Sequence, residues 1–416
     1  MKSPDTAPPT ATRPGAGSGG GLRRLLPLLT LAHAALFTVY MGVGGILLPV
    51  QVELLDPADK VANLGLVSGV AAILATLFNP LAGLLSDRSG RRSPWILGGG
   101  LAALGALSLL GAVRTVLLVT VAWCLVQATM NVYQAALTAI VPDRVPVERR
   151  GLASAMVGIG TPIGSAVGIT GAALFVPDSL TTGYLVMGAV VAGAAVLFTA
   201  LVRDRGKAAP AAPVPLRRQI TAFASTPANA DFRWAFIGRF LLMLGFFSVS
   251  LYQLYILQDH ITLPAGLSPT DAVAITAPID AVCTLLATVA GGLLSDRMGR
   301  RKPMIAVSCA LSGVSMLVPV FLPTWTGMLV FTVLTALAFG CFMAVDTALV
   351  TMVLPSADDA ARDLGVLNIA NAGPQIIAPF LASLLVGTLG YDGLYVVAAL
   401  LTLLGAASVA GIKGVR

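Results

Sequence analysis

Long apolar runs separated by short polar loops extend along most of this chain. A helix of about 18 or more apolar residues can cross the roughly 30 Å hydrocarbon layer of a bilayer. Twelve such runs occur, at about 25–50, 61–85, 95–113, 116–141, 152–176, 181–202, 234–257, 272–294, 304–322, 326–354, 365–388 and 392–412. The pattern predicts an all-α membrane protein with twelve transmembrane helices.

The composition supports this assignment. Of the 416 residues, 56% are hydrophobic and only 11% are charged, and the mean hydropathy is +0.88. A water-soluble domain of this size would have too few charged residues to cover its surface. We therefore expect many apolar side chains to face the lipid bilayer.

The net charge of +7 comes from Arg and Lys residues concentrated in alternate loops. In a twelve-helix arrangement these loops share one side of the membrane, and the other side has few basic residues beyond Lys60 and Arg114. Cytoplasmic loops carry such an excess. We expect both termini and the central loop in the cytoplasm, a multi-pass location in the cell (plasma) membrane, and no nucleic-acid partner.

Two segments rich in Pro and small residues divide the chain. Residues 1–22 predict a disordered cytoplasmic leader, and residues 203–232 predict a cytoplasmic linker. The apolar run after Arg24 is too long for a cleaved signal peptide. The expected units are therefore an N-terminal six-helix bundle at 23–202 and a C-terminal six-helix bundle at 233–416, which are pseudo-symmetric.

One short sequence occurs twice, about half a chain apart. Residues 83–94 read Gly-Leu-Leu-Ser-Asp-Arg-Ser-Gly-Arg-Arg-Ser-Pro, and residues 292–303 read Gly-Leu-Leu-Ser-Asp-Arg-Met-Gly-Arg-Arg-Lys-Pro. Each copy joins two apolar runs. Parallel halves are typical of a class of secondary transporter whose substrate site lies between the repeats. The motif resembles the loop between the second and third helices of each half in the major facilitator superfamily.

In that superfamily the Asp and Arg residues of this loop help to hold the cytoplasmic side closed. The resemblance implies a gate formed by Asp87, Arg88, Arg91, Arg92, Asp296, Arg297, Arg300 and Arg301. A carboxylate at a helix end can accept hydrogen bonds from Arg side chains and free backbone N–H groups, so such contacts can form in one conformation and break in another. The alternative is that the arginines only set the orientation.

Further stretches resemble the sucrose/proton symporter branch and its bacterial relatives: 48–51, Asn79-Pro80, 364–369 and Pro374-Gln375. The buried Arg that those sugar symporters carry in helix 4 has no counterpart here. Residues 160–164 in helix 5 partly resemble the glycine-proline signature of proton-antiporting drug exporters. Uptake of a sugar-like solute and export of a drug or natural product are therefore both open.

Ionisable residues inside membrane helices are costly and indicate function. Asp280 in helix 8, Asp346 in helix 10 and Arg239 in helix 7 are predicted to couple transport to protons. A carboxylate whose separation from an Arg changes can bind and release a proton. The alternative for these residues is a fixed buried ion pair.

A second set of polar and aromatic residues is predicted to bind the substrate. In the superfamily, helices 1, 4, 7 and 10 surround the central cavity, and most of the set falls on three of these helices. The alternative for any single Asn or Gln is an interhelical hydrogen bond. The set consists of Tyr40, Gln127, Asn131, Gln134, Phe246, Gln253, Asn368 and Asn371.

The sequence shows no nucleotide-binding loop, no nucleophile with a base and no metal-binding constellation, so we expect neither an enzyme nor a cofactor nor a metal site. The four cysteines and two histidines are scattered. The expected function is secondary active transport of a small organic solute by alternating access, coupled to protons rather than to sodium, in a monomer. A non-transporting membrane sensor is the alternative from another class; a large cytoplasmic domain would support it, whereas the sequence has only the linker.

Overall fold

A computed structural model describes residues 18–176, 179–202, 230–299, 301–353 and 360–411. Side chains are described within these ranges except at 18–21, 230, 347–353 and 360–368. Residues 1–17 of the predicted leader lie outside the described residues, whereas residues 18–22 are helical, so the leader was predicted to extend too far. Residues 203–229 of the predicted linker also lie outside the described residues. The described part is almost entirely helical, which confirms the predicted all-α membrane fold.

Eleven helical segments of the described chain are long and apolar enough to cross a membrane. The last of them contains Gly390, whose φ of 71° and ψ of −173° interrupt the helix. This break divides the segment into two helices and gives the predicted twelve. The helices are α1 Leu22–Leu55, α2 Lys60–Ser89, α3 Ser93–Ala112, α4 Val116–Arg144, α5 Val147–Ala173, α6 Leu180–Leu201, α7 Asp231–Ser250, α8 Pro269–Met298, α9 Arg301–Phe321, α10 Trp325–Asp346, continuing to Val353, α11 360–389 and α12 391–411.

The helices of each half of the chain contact mainly one another, and we refer to α1–α6 as the first bundle and to α7–α12 as the second bundle. In the first bundle α1 lies along α5, α3 lies along α6, and α4 contacts both α2 and α3. In the second bundle α8 lies along α10, α9 contacts α10, and α7 contacts the α11–α12 segment. We define the inner side as the one that carries the two repeated loops, which is the side expected to be cytoplasmic.

Two helices depart from regular α geometry in their outer halves. A π-helical turn, Val43–Leu47, interrupts α1. Helix α7 ends at Ser250, and a second helical segment, Gln253–Asp259, follows after a short turn. We refer to Gln253–Asp259 as the outer segment of α7. Both π turns and discontinuous membrane helices are frequent at functional sites.

Glycines in α5 allow close packing on α1. An added Cβ at Gly164 would lie 2.2 Å from the Ala34 carbonyl oxygen, and one at Gly168 would lie 2.4 Å from the Thr38 carbonyl oxygen. Gly160 is similarly crowded by the α1 backbone. The glycines that partly resemble an exporter signature therefore have a packing role in this fold.

The two bundles are in contact near their outer ends and separated towards the inner side. On the outer half of α2, an added Cβ at Gly69 would lie 2.3 Å from the Phe380 ring of α11. On the inner half of α2, every residue from Leu77 to Leu81 is exposed. An added Cβ at Gly83 would meet no atom within 4 Å. The structure is therefore open towards the inner side.

Candidate functional site

An ion pair lies buried between α7 and α10. Arg239 Nη1 is 2.6 Å from Asp346 Oδ2, and the two side chains are only 11% and 6% exposed. Arg239 Nε also donates a hydrogen bond of 2.8 Å to Asn371 Oδ1 on α11. The arginine thus links three helices. The structure brings together two predicted coupling residues and one predicted substrate residue.

Asp280, the third predicted coupling residue, has different surroundings. Its side chain is exposed, and the described residues provide it with no hydrogen bond or ion pair. Five apolar residues of α8 form the row that faces the lipid, and they are 44–62% exposed: Ile275, Val282, Leu286, Val289 and Leu293. At about 100° per residue, Asp280 lies roughly 140° around the helix from this row.

The neighbours of Asp280 on its own face of α8 are covered by protein. Thr276 lies one turn towards the outer side and is fully buried, and Ala287 and Gly291 lie on the inner side and are also buried. An exposed side chain on this face points into the space between the bundles. Asp280 is therefore a carboxylate in the central cavity without a protein partner among the described residues.

Polar side chains connect the helices of the first bundle. Asn79 Nδ2 donates to Asn131 Oδ1 over 2.8 Å, and Tyr40 Oη donates to Gln134 Oε1 over 3.1 Å. Interhelical hydrogen bonding therefore accounts for Asn131 and Gln134 in this conformation. It does not account for Gln127, whose buried Oε1 has no hydrogen-bond partner among the described residues. Buried side-chain atoms without a partner are uncommon, and Ser295 Oγ and Tyr395 Oη are in the same state.

The predicted substrate residues of the second bundle also contact neighbouring helices. The Phe246 ring stacks on Phe339 of α10 with centroids 4.3 Å apart and an interplanar angle of 12°. Gln253 Nε2 donates a hydrogen bond of 3.2 Å to Thr276 Oγ1 of α8. The side chain of Asn368 lies outside the described residues.

In the first repeated loop, one arginine gathers the acidic residues. The Arg92 guanidinium contacts the Asp87 carboxylate, and its Nε lies 3.0 Å from Asp143 Oδ2 at the inner end of α4. Burial disfavours the charge on Arg92, but hydrogen bonds to both carboxylates and their charges outweigh this effect and raise its pKa. Arg88 and Arg91 are exposed. Both ion pairs of Arg92 lie within the first bundle.

The glycines of the two repeated loops have the same left-handed backbone conformation. The glycines of the two motifs, Gly90 and Gly299, have φ angles of 64° and 61° and end α2 and α8. A left-handed residue at this position is a common helix C-cap that favours glycine. Asp296 and Arg297 are exposed, Arg301 is partly buried, and Arg300 lies outside the described residues.

A cluster at the outer side was not identified from the sequence as functional. Lys60 Nζ at the start of α2 lies 2.9 Å from both Glu53 Oε1 and Asp259 Oδ1, and it lies 4.8 Å from the centre of the Tyr255 ring. Gln258 Nε2 also donates to Glu53 Oε1. Since Asp259 and Gln258 belong to the second bundle, this outer cluster joins the two halves. The only indication of this outer cluster in the sequence was Lys60, an isolated basic residue on the side of the membrane that has few basic residues.

Comparisons with known proteins agree with this architecture. A nucleoside transporter has a structure similar to this chain, with a TM-score of 0.76 and 17% identity over 94% of this chain and 100% of that one. A D-xylose–proton symporter matches with a TM-score of 0.69 and 16% identity over 95% of this chain and 98% of that one. A bacterial homolog of the human lysosomal transporter Spinster, in an inward-facing and unoccupied conformation, matches with a TM-score of 0.68 and 15% identity over 95% of each chain.

At these identities the solved structures establish the fold alone. Among curated proteins, none matches the sequence significantly. The family model described as Major Facilitator Superfamily matches residues 29–278 and 236–413, which together cover nearly the whole chain. The chain therefore belongs to the major facilitator superfamily, and it is a multi-pass membrane transporter rather than an enzyme.

Proposed function

We propose that this protein takes up a small polar, sugar-like solute across the cell membrane in symport with protons, as the resemblance to the sucrose/proton symporter branch suggests. The observation that carries the proposal is the buried, unpartnered Oε1 of Gln127 on the helix that also presents Asn131 and Gln134. Hydroxyl groups donate hydrogen bonds to amide oxygens and accept them from amide N–H groups. A solute rich in hydroxyl groups would supply the partner that Gln127 lacks.

In an alternating-access cycle, the interhelical hydrogen bonds of Asn131 and Gln134 can also serve substrate binding. Asn131 and Gln134 are bonded to Asn79 and Tyr40 in the inward-open conformation. When the bundles close around a solute, these amides can exchange their protein partners for solute hydroxyls at little net cost, because one hydrogen bond replaces another.

Proton coupling is proposed to depend on Asp346 and Arg239, with Asp280 as the second candidate acid. The 2.6 Å ion pair connects helices that belong to the cavity wall in this superfamily. A movement of α7 against α10 that separates the pair would leave a buried carboxylate without its counter-charge, and such a carboxylate takes up a proton. Re-forming the pair would release the proton.

Export of a drug or natural product is the second candidate. The stacked rings of Phe246 and Phe339 favour it, because lipophilic ligands bind largely through apolar and aromatic contacts. Under this alternative the same carboxylates would serve proton antiport, and the direction of solute movement would be reversed.

Transport in proteoliposomes distinguishes the two candidates. With an imposed pH gradient, a panel of sugars and lipophilic cations is tested on the wild type and on two sets of variants. Sugar uptake predicts a loss of accumulation in Asn131→Ala and Gln134→Ala, whereas export predicts a loss of efflux in Phe246→Ala and Tyr40→Ala. Phe321→Ala is the control, because Phe321 is 77% exposed at the outer end of α9. If transport is unchanged in both sets of variants, the residues predicted to line the cavity do not bind the solute, and both candidates are contradicted.

Coupling is tested on the same preparation with Asp346→Asn and Asp280→Asn. Loss of the coupling acid abolishes accumulation driven by a pH gradient but preserves exchange of labelled for unlabelled solute, since exchange needs no net proton movement. If both single variants and the double variant still accumulate solute against a gradient, coupling through these acids is wrong.

A further inference from the structure

We infer that the central cavity contains a site for a cationic group, formed by Asp280, the Thr276–Gln253 pair and the end of α7 at Ser250, and that the transported solute carries a protonated amine. The inference rests on the proposed function, because it specifies the chemistry of the solute that this transporter moves.

The first support is the unbalanced charge of Asp280. The carboxylate is exposed on the cavity face of α8, and no described residue pairs with it. The cation that could have balanced it, Arg239, is 2.6 Å from Asp346 and also hydrogen-bonded to Asn371. A carboxylate near the middle of a membrane helix is expensive unless a partner compensates it. A cationic ligand is a partner of the correct sign.

The second support is the break in α7. The helix ends at Ser250, and carbonyl groups at the C-terminal end of a long helix carry a partial negative charge. Ser250 is exposed and lies at least about 140° around α7, at roughly 100° per residue, from the lipid-facing Trp234 and Ile237. The Ser250 side chain at the end of this helix therefore lies on the cavity side, although the Phe247 and Val249 carbonyls of the last turn already accept hydrogen bonds from the N–H groups of Leu251 and Tyr252.

The third support is the contact that joins these two features. Gln253, the first residue of the outer segment of α7, donates a 3.2 Å hydrogen bond to Thr276. Thr276 precedes Asp280 by one turn, which corresponds to about 6 Å along the axis. The break in α7 and the carboxylate of α8 are thus held side by side. The N-terminal end of the outer segment at Gln253 carries a partial positive charge that offsets the end of α7. The negative potential at this site therefore comes mainly from the Asp280 carboxylate, and no described cation opposes it.

The chemistry of the site favours an ammonium group over a neutral hydroxyl group. An ammonium donates up to three hydrogen bonds and accepts none, which matches a carboxylate and helix-end carbonyls that can only accept. Other parts of the cavity, such as Gln127 on α4, remain available for hydroxyl groups. An amino sugar combines both kinds of group and is therefore a suitable probe.

The sign of the electrostatic potential near Ser250 is tested first, by a measurement that does not require transport. Ser250→Cys is introduced into a protein whose four native cysteines are replaced by Ser, and its reaction rates with a cationic and an anionic methanethiosulfonate reagent are compared in detergent. We expect the cationic reagent to react at least about tenfold faster after correction for the rates with a free thiol. The reason is that a nearby carboxylate attracts the cationic reagent and repels the anionic one, so the two electrostatic energies differ in sign. Asp280→Asn should remove most of the preference. Asp271→Asn, at the exposed outer start of the same helix, should leave it intact.

The class of solute is tested second, with glucosamine and N-acetylglucosamine as a charged and a neutral pair. At slightly acidic pH we expect glucosamine to compete with the cationic reagent and to bind at least about tenfold more tightly than its neutral counterpart, and Asp280→Asn should abolish this difference.

Equal effects of the two sugars overturn the inference, as does a reagent preference that survives Asp280→Asn. Protection by sodium ions at equal concentration would assign the site to a metal ion and would also overturn it. A normal reagent preference together with absent pH-driven transport would instead contradict only the proposed function.

Discussion

The Lys60 ammonium of the first bundle lies 2.9 Å from the Asp259 carboxylate of the second bundle. Tyr391 Oη holds the other oxygen of Asp259 at 2.8 Å, and Glu53 contacts Lys60 from its own bundle. Contacts that join the halves on the outer side exist only while that side is closed. The outer cluster therefore stabilises the inward-open conformation relative to the outward-open one.

Replacement of Lys60 should shift the conformational equilibrium. We expect Lys60→Gln to disfavour outer closure by about 1 kcal/mol, the upper range for partly exposed ion pairs, which is about a fivefold population change. Spin labels at Leu54→Cys and Leu322→Cys, both exposed near the outer side, would report a larger fraction of long distances. Arg114→Gln is the matched control, because Arg114 donates a hydrogen bond of 3.2 Å to the Gly111 carbonyl in the same bundle. An unchanged distance distribution in Lys60→Gln would show that the ion pair does not stabilise closure.

The close approach of α2 to the second bundle should be sensitive to side-chain size. An added Cβ at Gly65 would lie 2.7 Å from Ser383 Cβ and 2.9 Å from the Pro379 carbonyl oxygen. We expect Gly65→Val to block outer closure and to reduce transport at least about tenfold, because backbone atoms cannot move aside cheaply. Gly83→Val on the inner half of the same helix has free space and should assemble normally. Transport rates in proteoliposomes together with the outer spin-label distances measure both effects, and full activity of Gly65→Val would contradict the prediction.

The overall architecture was predictable from the sequence, because length, apolar periodicity and the repeated loop depend on local chemistry. The pairing of intramembrane polar residues was not. Asp280 and Asp346 have the same side chain in similar apolar contexts, yet one faces the cavity and the other lies 2.6 Å from Arg239. The difference depends on how each helix is rotated against its neighbours. The Lys60–Asp259 contact spans 199 residues, and no local pattern marks it.

The buried ion pair between α7 and α10 should matter for stability as well as for coupling. Removal of one partner of a buried pair typically costs about 3–5 kcal/mol, because the remaining charge is left without compensation. We expect Arg239→Gln to lower the thermal unfolding temperature in detergent, and the double variant Arg239→Gln/Asp346→Asn to recover most of the loss. Arg233→Gln is the control, since Arg233 is exposed on the same helix. A double variant as unstable as Arg239→Gln alone would indicate that the contact to Asn371, rather than the ion pair, is the important one.

The packing of α5 on α1 provides a test of the glycine signature. Gly164→Ala places a methyl group 2.2 Å from the Ala34 carbonyl oxygen, and we expect overpacking of about 1–3 kcal/mol with a lower yield of folded protein. Gly158→Ala lies on the same helix with no atom within 4 Å and should be neutral. Size-exclusion profiles and thermal unfolding in detergent report the difference. A folded, stable Gly164→Ala protein with altered solute preference would instead support a functional role for the signature.

The last prediction concerns the repeated inner loops, where the two carboxylates are proposed to hold the inner side closed. In this inward-open structure Asp87 contacts Arg92 of its own bundle and Asp296 is exposed, so neither is needed to keep the inner side open. Asp87→Asn and Asp296→Asn should therefore weaken only the closed state and increase the inward-open population, with impaired transport and normal amounts of folded protein. Spin labels at Val147→Cys and Met298→Cys, which are exposed at the inner ends of the two bundles, would show a larger fraction of long distances. Glu148→Gln, an exposed acid on the same side, is the control for the loss of one negative charge. Unchanged distances and unchanged transport in both Asn variants would leave the repeated loops with a role in membrane orientation alone.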